Sequence, residues 1–219
     1  MSEHDWHNRI EMHDVAGIEA ASDAMRAVIR KLRTTNAPPE VLAKTRAALE
    51  ELADELAPYV HEGPYGQHAL SLTMPNLADA GDAARFFPYS PVIGPRNPIS
   101  PPVRFESNDG VVTGEVVFAP QYNGPPRSVH GGVIALVLDE LLGYTGVVNE
   151  CGAFTGTLTV RYLHLTPIGE RITMRARIRG REGRKVFIAG ALFHGETRTA
   201  EAEGIFVRPS VPEMARESV

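Results

Sequence analysis

The chain's apolar positions follow several different rhythms, and each rhythm predicts a different kind of element. From about Val15 to Arg33, Ile18, Ala21, Met25, Val28, Ile29 and Leu32 recur at helical spacing, with Arg26, Arg30, Lys31 and Arg33 between them. Asn36-Ala37-Pro38-Pro39 breaks that helix, and Pro39 and Glu40 suit the first turn of another. Val41, Thr45, Ala48, Leu49, Leu52 and Leu56 carry the second helix to about Pro58. The pair is expected to form an antiparallel helical hairpin over residues 1–61, with its basic cluster solvated. Docking onto the main domain, or onto a second subunit, is the expected use of such an appendage. Residues 62–102 keep no period. Pro88, Pro91, Pro95, Pro98, Pro101 and Pro102 rule out regular helix and favour irregular, extended chain. The run reads as a linker. Yet Phe86, Phe87, Tyr89 and Ile93 are costly to leave in water, so the segment is expected to lie against the domain and border a pocket.

The longest apolar stretch is His130-Gly131-Gly132-Val133-Ile134-Ala135-Leu136-Val137-Leu138-Asp139-Glu140-Leu141-Leu142-Gly143. Its length suits a buried helix. Two glycines inside a helix each cost about 1 kcal/mol against alanine. At a helix start that objection fades, because they let another group approach bare N–H donors at the positive end of the helix dipole. Such an end attracts an anion, or an oxygen about to become one. Asp139 is the second anomaly, since Ala135, Leu136, Leu142 and Gly143 are its helical neighbours. A carboxylate on so apolar a face is expensive unless paired or used. The step from His130 to Asp139 turns a helix by roughly 900°, half a turn net, and advances it by about 13.5 Å. One helix cannot easily grip the same small group with both features. Two copies related by a two-fold axis could set the Gly131 end of one against Asp139 of the other, which predicts a dimer with shared sites. The plainer reading is that His130 caps a buried helix and Asp139 bonds a neighbour.

From Val103 onward the pattern is that of strands. Val111 to Phe118 comes before the central helix, and four candidates come after it: Thr155 to Leu165, Arg171 to Arg179, Lys185 to Phe193 and Thr197 to Val207. In the second of these Ile172, Met174, Ala176 and Ile178 alternate with Thr173, Arg175, Arg177 and Arg179. Gly180 to Gly183 and His194-Gly195-Glu196 are the expected turns. Short turns imply antiparallel pairing, and clean alternation implies one buried face and one wet face. The apolar helix needs a cover, and a curved antiparallel sheet supplies it. The fold class is therefore α+β.

Length and composition add bounds. A chain of 219 residues allows one large domain or one domain with an appendage, and 43% hydrophobic with 22% charged residues is ordinary for a soluble globular protein. The net charge of −5 argues against a nucleic-acid partner. Cys151 is the single cysteine, so no intrachain disulfide can form. Glu3-His4-Asp5-Trp6-His7 lacks the cationic-then-apolar order of a secretory signal, and no stretch reaches the ~20 apolar residues of a membrane span. A cytoplasmic location is the expectation.

Gln121-Tyr122-Asn123-Gly124-Pro125-Pro126, then His130-Gly131-Gly132 and Asp139 nine residues after the His, resembles the hotdog-fold acyl-CoA thioesterases. The likeness is to the PaaI type and the carboxyl-terminal-modulator-like branch. Thr155 to Tyr162 and Glu182-Gly183-Arg184-Lys185 stand where that branch has its next strand and turn. The resemblance covers roughly residues 103–208 and implies a hotdog domain over 103–219, an antiparallel sheet wrapped around a long central helix. It also implies a homodimer, often a dimer of dimers, that hydrolyses acyl-CoA to a fatty or aryl acid and CoA without metal or cofactor. By position, Gly131 would supply the N–H that polarises the thioester carbonyl. Asp139 of the partner would activate water or attack directly, and Thr155 would orient that water. His130 would fix the glycine turn, and Gly132 and Asn123 would border the substrate. Some relatives have a polar residue six positions before the His, where this chain has Gly124. Glu140 is a second acid that could face the site instead. Arg161, Arg184 and Lys185 are candidates for CoA phosphates, or simply surface charges.

The chemistry suits these parts. A thioester leaves as a thiolate whose parent thiol has a pKa near ~8.5, so a strong general acid is not required. A non-catalytic acyl-CoA binding or sensing module is the alternative, and it would have no use for Asp139. A hotdog dehydratase would need a His and an acid placed to move a proton at carbon, which this pattern does not supply. An acyl-CoA-sensing repressor would need a DNA-binding segment, for which the N-terminal helices are poor candidates.

Overall fold

The computed structural model describes residues 14–60, 66–67 and 80–208. Expectations for Glu3 to His7, for the boundary at residue 61 and for the chain beyond residue 208 lie outside the described residues. Helices α1 (Val15–Thr34) and α2 (Pro39–Leu56) come first, followed by the short α3 (Ala83–Phe86). Strands β1 (Arg104–Asn108) and β2 (Val111–Val117) lead to the long helix α4 (Gly131–Val148). Then come β3 (Phe154–Tyr162), β4 (Arg171–Glu182), β5 (Lys185–His194) and β6 (Thr197–Val207).

The six strands make one antiparallel sheet in the order β1-β2-β4-β5-β6-β3. Alternation decides which face meets the helix. Ile172, Met174 and Ala176 of β4 and Ala200, Ala202 and Phe206 of β6 are buried, while Arg175 and Arg177 face water. Gly183 and Gly195, both at positive φ, open the two-residue loops that join β4 to β5 and β5 to β6. The expected turn at Gly180 to Gly183 is corrected here. β4 runs on to Glu182, and a register shift between Ile178 and Gly180 absorbs the extra residue.

Helix α4 fills the curve of the sheet. Ile134, Val137, Leu138, Leu141 and Leu142 are buried, each contributing about 1.5–3 kcal/mol of burial. Among the described residues it is the one helix long and apolar enough to cross a membrane, and here that apolarity faces the sheet and the core. The proline-rich segment joins the same core. Ala83, Phe86, Val92, Ile93 and Val103 are buried, and Val103 N–H donates to the Val92 carbonyl at 3.2 Å. Tyr144 of α4 stacks on Phe105 with ring centroids 5.7 Å apart, and its hydroxyl donates to the Ala80 carbonyl at 2.7 Å.

The N-terminal helices stand where their spacing predicts them. α1 meets the body at the 3-10 turn Pro120–Tyr122. No residue of α2 is buried, and Thr45 and Leu49 are half-buried. Arg26 departs from the solvated cluster expected of it. Its guanidinium, only 10% exposed, donates to the carbonyls of Asn97 at 2.7 Å and Pro95 at 3.1 Å and pairs with Asp23. It therefore clamps α1 to the proline-rich segment.

Candidate active site

The start of α4 is built by its own side chain. His130 is the N-cap residue, in extended conformation, and its Nδ1 accepts from the Gly132 N–H at 3.0 Å. That bond places the ring proton on Nε2. His130 N–H donates to the Tyr122 carbonyl at 2.8 Å, which joins the helix start to the preceding loop. Among the described residues, the Gly131 N–H donates to nothing. An unpaired donor at the positive end of an apolar helix is an anion or oxyanion seat. Gly124 lies directly beneath it, and a Cβ there would stand 2.6 Å from His130 Cα. A side chain at that position would force the loop or the helix start to shift. Asn123 instead donates through Nδ2 to the carbonyls of Gly124 at 2.7 Å and Pro125 at 2.8 Å, closing the turn.

Further along the same helix, half-buried Asp139 accepts at Oδ1 from the Thr155 hydroxyl at 3.0 Å. A β-bulge makes this possible. Thr155 pairs with Phe206 and Thr157 with Ile205, so Gly156 is the extra residue. With Gly156 paired as an ordinary ladder residue, Thr155 and Leu158 could not both point toward α4. A Cβ at Gly156 would lie 3.0 Å from the Val207 side chain and 3.2 Å from the Ile205 carbonyl, which favours glycine in the bulge.

Around these features the surface is apolar and open. Leu136 of α4, Phe154 and Tyr162 of β3, and Leu163 and Leu165 just after it are all exposed. Tyr162 is a residue that sequence reasoning quoted without a role. Its hydroxyl donates to the Gly131 carbonyl at 2.9 Å, lashing β3 to the first turn of the helix. The signal was available, because Leu158, Val160 and Tyr162 share the helix-facing side of the strand.

Glu140 is turned away from Asp139 into the proline-rich segment. Buried Ser90 donates from Oγ to Glu140 Oε1 at 2.8 Å, and the same Oγ accepts from the N–H groups of Val92 at 3.1 Å and Ile93 at 3.3 Å. Burial raises the Glu140 carboxyl to about 7. The Ser90 bond opposes the rise and the Asp139 charge adds to it.

The candidate phosphate contacts fall in two places. Arg184 and Lys185 sit exposed in the β4–β5 turn, and the pairing of Lys185 with Val207 and of Val207 with Phe154 puts them at the Thr155 end of the sheet. Arg161 lies near the far end of β3, about 20 Å from Thr155 by strand rise. It pairs with Glu201 at 3.7 Å. Pro101 and Pro102 border a cleft with Asp23, Arg26, Gln121 and Tyr122, which is separate from Asp139. Among the described residues no group of His, Cys, Asp and Glu side chains is placed to hold a metal ion.

An antiparallel sheet around one apolar helix that opens on His-Gly-Gly defines a hotdog-fold domain. Known proteins bear this out, although no family model matches the chain. A solved structure described as a thioesterase superfamily protein aligns with a TM-score of 0.74 at 30% identity, covering 87% of this chain and 90% of its own. The chain belongs to the thioesterase superfamily. Among curated proteins, the acyl-coenzyme A thioesterase THEM4 of Xenopus laevis is 35% identical over 92 residues, 41% of this chain and 41% of its own. The acyl-coenzyme A thioesterase THEM5 of Mus musculus is 25% identical over 100 residues, 45% of this chain and 40% of its own. The chain thus spans less than half the length of these curated relatives.

Proposed function

We propose that this chain hydrolyses acyl-CoA thioesters to a free fatty or aryl acid and CoA, working as a homodimer. One observation carries the reading: α4 combines an unpaired Gly131 N–H at its start with a half-buried Asp139 held by Thr155 farther along. Within one chain the two stand about 12 Å apart along the helix axis, too far to serve one carbonyl. A second copy related by a two-fold axis would bring the partner's Asp139 to the Gly131 end. Support comes from β3, which among the described residues is an edge strand with an unpaired outer side, and whose flanks expose Phe154, Tyr162, Leu163 and Leu165. Such a surface is costly in water and suits a like surface from a second subunit.

In the reaction, the Gly131 N–H donates to the thioester carbonyl oxygen as it gains negative charge. Asp139 takes a proton from a water whose oxygen attacks the carbonyl carbon, and Thr155 keeps the carboxylate aimed. The C–S bond then breaks, the electron pair leaves on sulfur, and the thiolate is stable enough to depart without a strong acid. Arg184 and Lys185, at the Asp139 end of the sheet, would meet the phosphates of CoA.

The test is a thiol-release assay over short, medium, long and aryl acyl-CoAs, with Asp139→Asn beside the parent. Turnover by the parent and its loss in the variant, with dimer mass retained on sedimentation, is expected. Tight binding without turnover would favour a sensing module instead.

A further inference from the structure

We propose that Tyr162 is a positioning residue for the seat at the start of α4, its hydroxyl holding the first turn so that the Gly131 N–H stays aimed at the incoming oxygen. The need arises in the sequence. Gly131 and Gly132 stand in succession, and residues without a Cβ rotate more freely than any others. The peptide plane between them is therefore the loosest in the helix. His130 fastens the turn from within, because its carbonyl receives the N–H groups of Val133 at 2.9 Å and Ile134 at 3.1 Å and its ring holds the Gly132 N–H at 3.0 Å. The bond from His130 N–H to the Tyr122 carbonyl anchors the turn on the loop side. On the sheet side the anchor is Tyr162, whose hydroxyl donates to the Gly131 carbonyl at 2.9 Å. A carbonyl oxygen has two lone pairs, so this bond leaves the helix's own bond to that oxygen intact.

The strand makes the tie firm. Tyr162 ends β3 opposite buried Ala200 of β6, and the next two N–H groups, of Leu163 and His164, both donate to the Thr199 carbonyl at 2.9 and 3.0 Å. The ring lies 3.5–3.6 Å from where a Cβ at Gly131 would stand, so it covers that side of the glycine. Tyr162 is 55% exposed, and phenylalanine would supply the same packing. Among the described residues the Gly131 carbonyl is the hydroxyl's one partner, so the oxygen's use is the glycine. β3 thus serves both halves of the centre through hydroxyls, Thr155 on the carboxylate and Tyr162 on the amide. The kinetic side of this role rests on the hydrolysis reading, and the geometric side does not.

Tyr162→Phe removes the oxygen and keeps the ring. In the thiol-release assay its kcat is expected to fall about tenfold, the scale of one neutral hydrogen bond, with KM unchanged. Sedimentation should show the parent's mass, which separates this loss from a broken interface. Amide 15N relaxation on the full chain reads the same tie without any substrate. The Gly131 N–H should have an order parameter of about 0.85 in the parent and about 0.6 or less in Tyr162→Phe, while Leu192 in the middle of β5 stays at about 0.85 in both. An unchanged Gly131 order parameter would overturn the proposal, as would a loss of order that extends to Leu192. In a parent that turns over substrate, an unchanged kcat, a defect confined to KM or a changed mass in the variant would do the same. A parent that releases no thiol from any acyl-CoA would count against hydrolysis alone, and the order parameter would still decide the tie.

Discussion

The Thr155 hydroxyl and the Asp139 carboxylate, sixteen residues apart in the chain, meet at 3.0 Å across the gap between strand and helix. Because the serving bond comes from β3 and the carboxylate from α4, each element fixes the other's orientation. If Asp139 is the base, Asp139→Asn should lower kcat/KM by about 10²–10⁴, the span typical of a lost general base. Thr155→Val removes only a hydrogen bond to a charged acceptor, about 1.5–3 kcal/mol, and should cost roughly 10–100-fold. Equal losses in the two variants, measured by thiol release, would contradict this ranking.

Gly131→Ala separates sterics from chemistry. An added Cβ would meet only the Tyr162 ring, at 3.5–3.6 Å, which is ordinary contact. The variant should therefore fold, with a stability close to the parent's in denaturant unfolding, since Gly131 opens the helix rather than lying inside it. Its methyl group would stand beside the amide that is meant to receive the carbonyl oxygen. A fall in kcat/KM on the order of 10² is expected, comparable to losing one oxyanion donor.

Gly124→Ala should behave in the opposite way, as a defect of structure. The new methyl would press on the His130 backbone at 2.6 Å, and a loop tied by the Tyr122 carbonyl to His130 cannot yield freely. Overpacking of this kind costs about 1–3 kcal/mol. Urea unfolding should register it, and faster hydrogen exchange at the Gly132 amide would report the loosened cap.

Glu140 gives the fold a pH dependence. Its carboxyl is raised from the usual 4.5 to about 7, chiefly by burial, so the native state holds the proton more tightly than the unfolded chain. The resulting stability is complete below about pH 4.5, declines as pH rises through the interval, and is gone above about 7. At about 1.4 kcal/mol per pKa unit the loss is on the order of 3 kcal/mol. Glu140→Gln still accepts from Ser90 but cannot ionise. Urea unfolding at pH 5 and pH 8 should show a flatter profile for the variant and greater stability than the parent at pH 8. Parallel profiles would count against the assignment.

Several features of this architecture are legible in the residues alone. The run from Val133 to Leu142 is apolar enough to need a wrapping sheet, and the alternation of Ile172, Met174 and Ala176 with arginines assigns β4 its faces. The helical spacing of Thr45, Leu49, Leu52 and Leu56 also locates α2 correctly. Spacing reports that a face is apolar and is silent on what covers it. The proline run is a case where two signals compete. Its composition reads as a linker, but Phe86, Phe87, Tyr89 and Ile93 are too apolar to leave in water and place it against the domain, where Phe86, Val92 and Ile93 are buried. Family likeness picked out Thr155 and Asp139 separately, with Thr155 on the water, and their bond to each other is seen only in the structure. A single unpaired glycine in β3 decides it, and no periodicity encodes that.

That glycine carries an evolutionary consequence. Because side chains alternate along a strand, pairing Gly156 as an ordinary ladder residue would move every earlier residue of β3 to the opposite face. The hydroxyl would swing outward and Phe154 inward, while the pairing of Leu158 with Gly204 and everything beyond it stayed put. Deleting the glycine, by contrast, would leave Thr155 two places before Leu158 and on the same face, so a lineage could lose the bulge and still keep that hydroxyl on the helix side of the sheet.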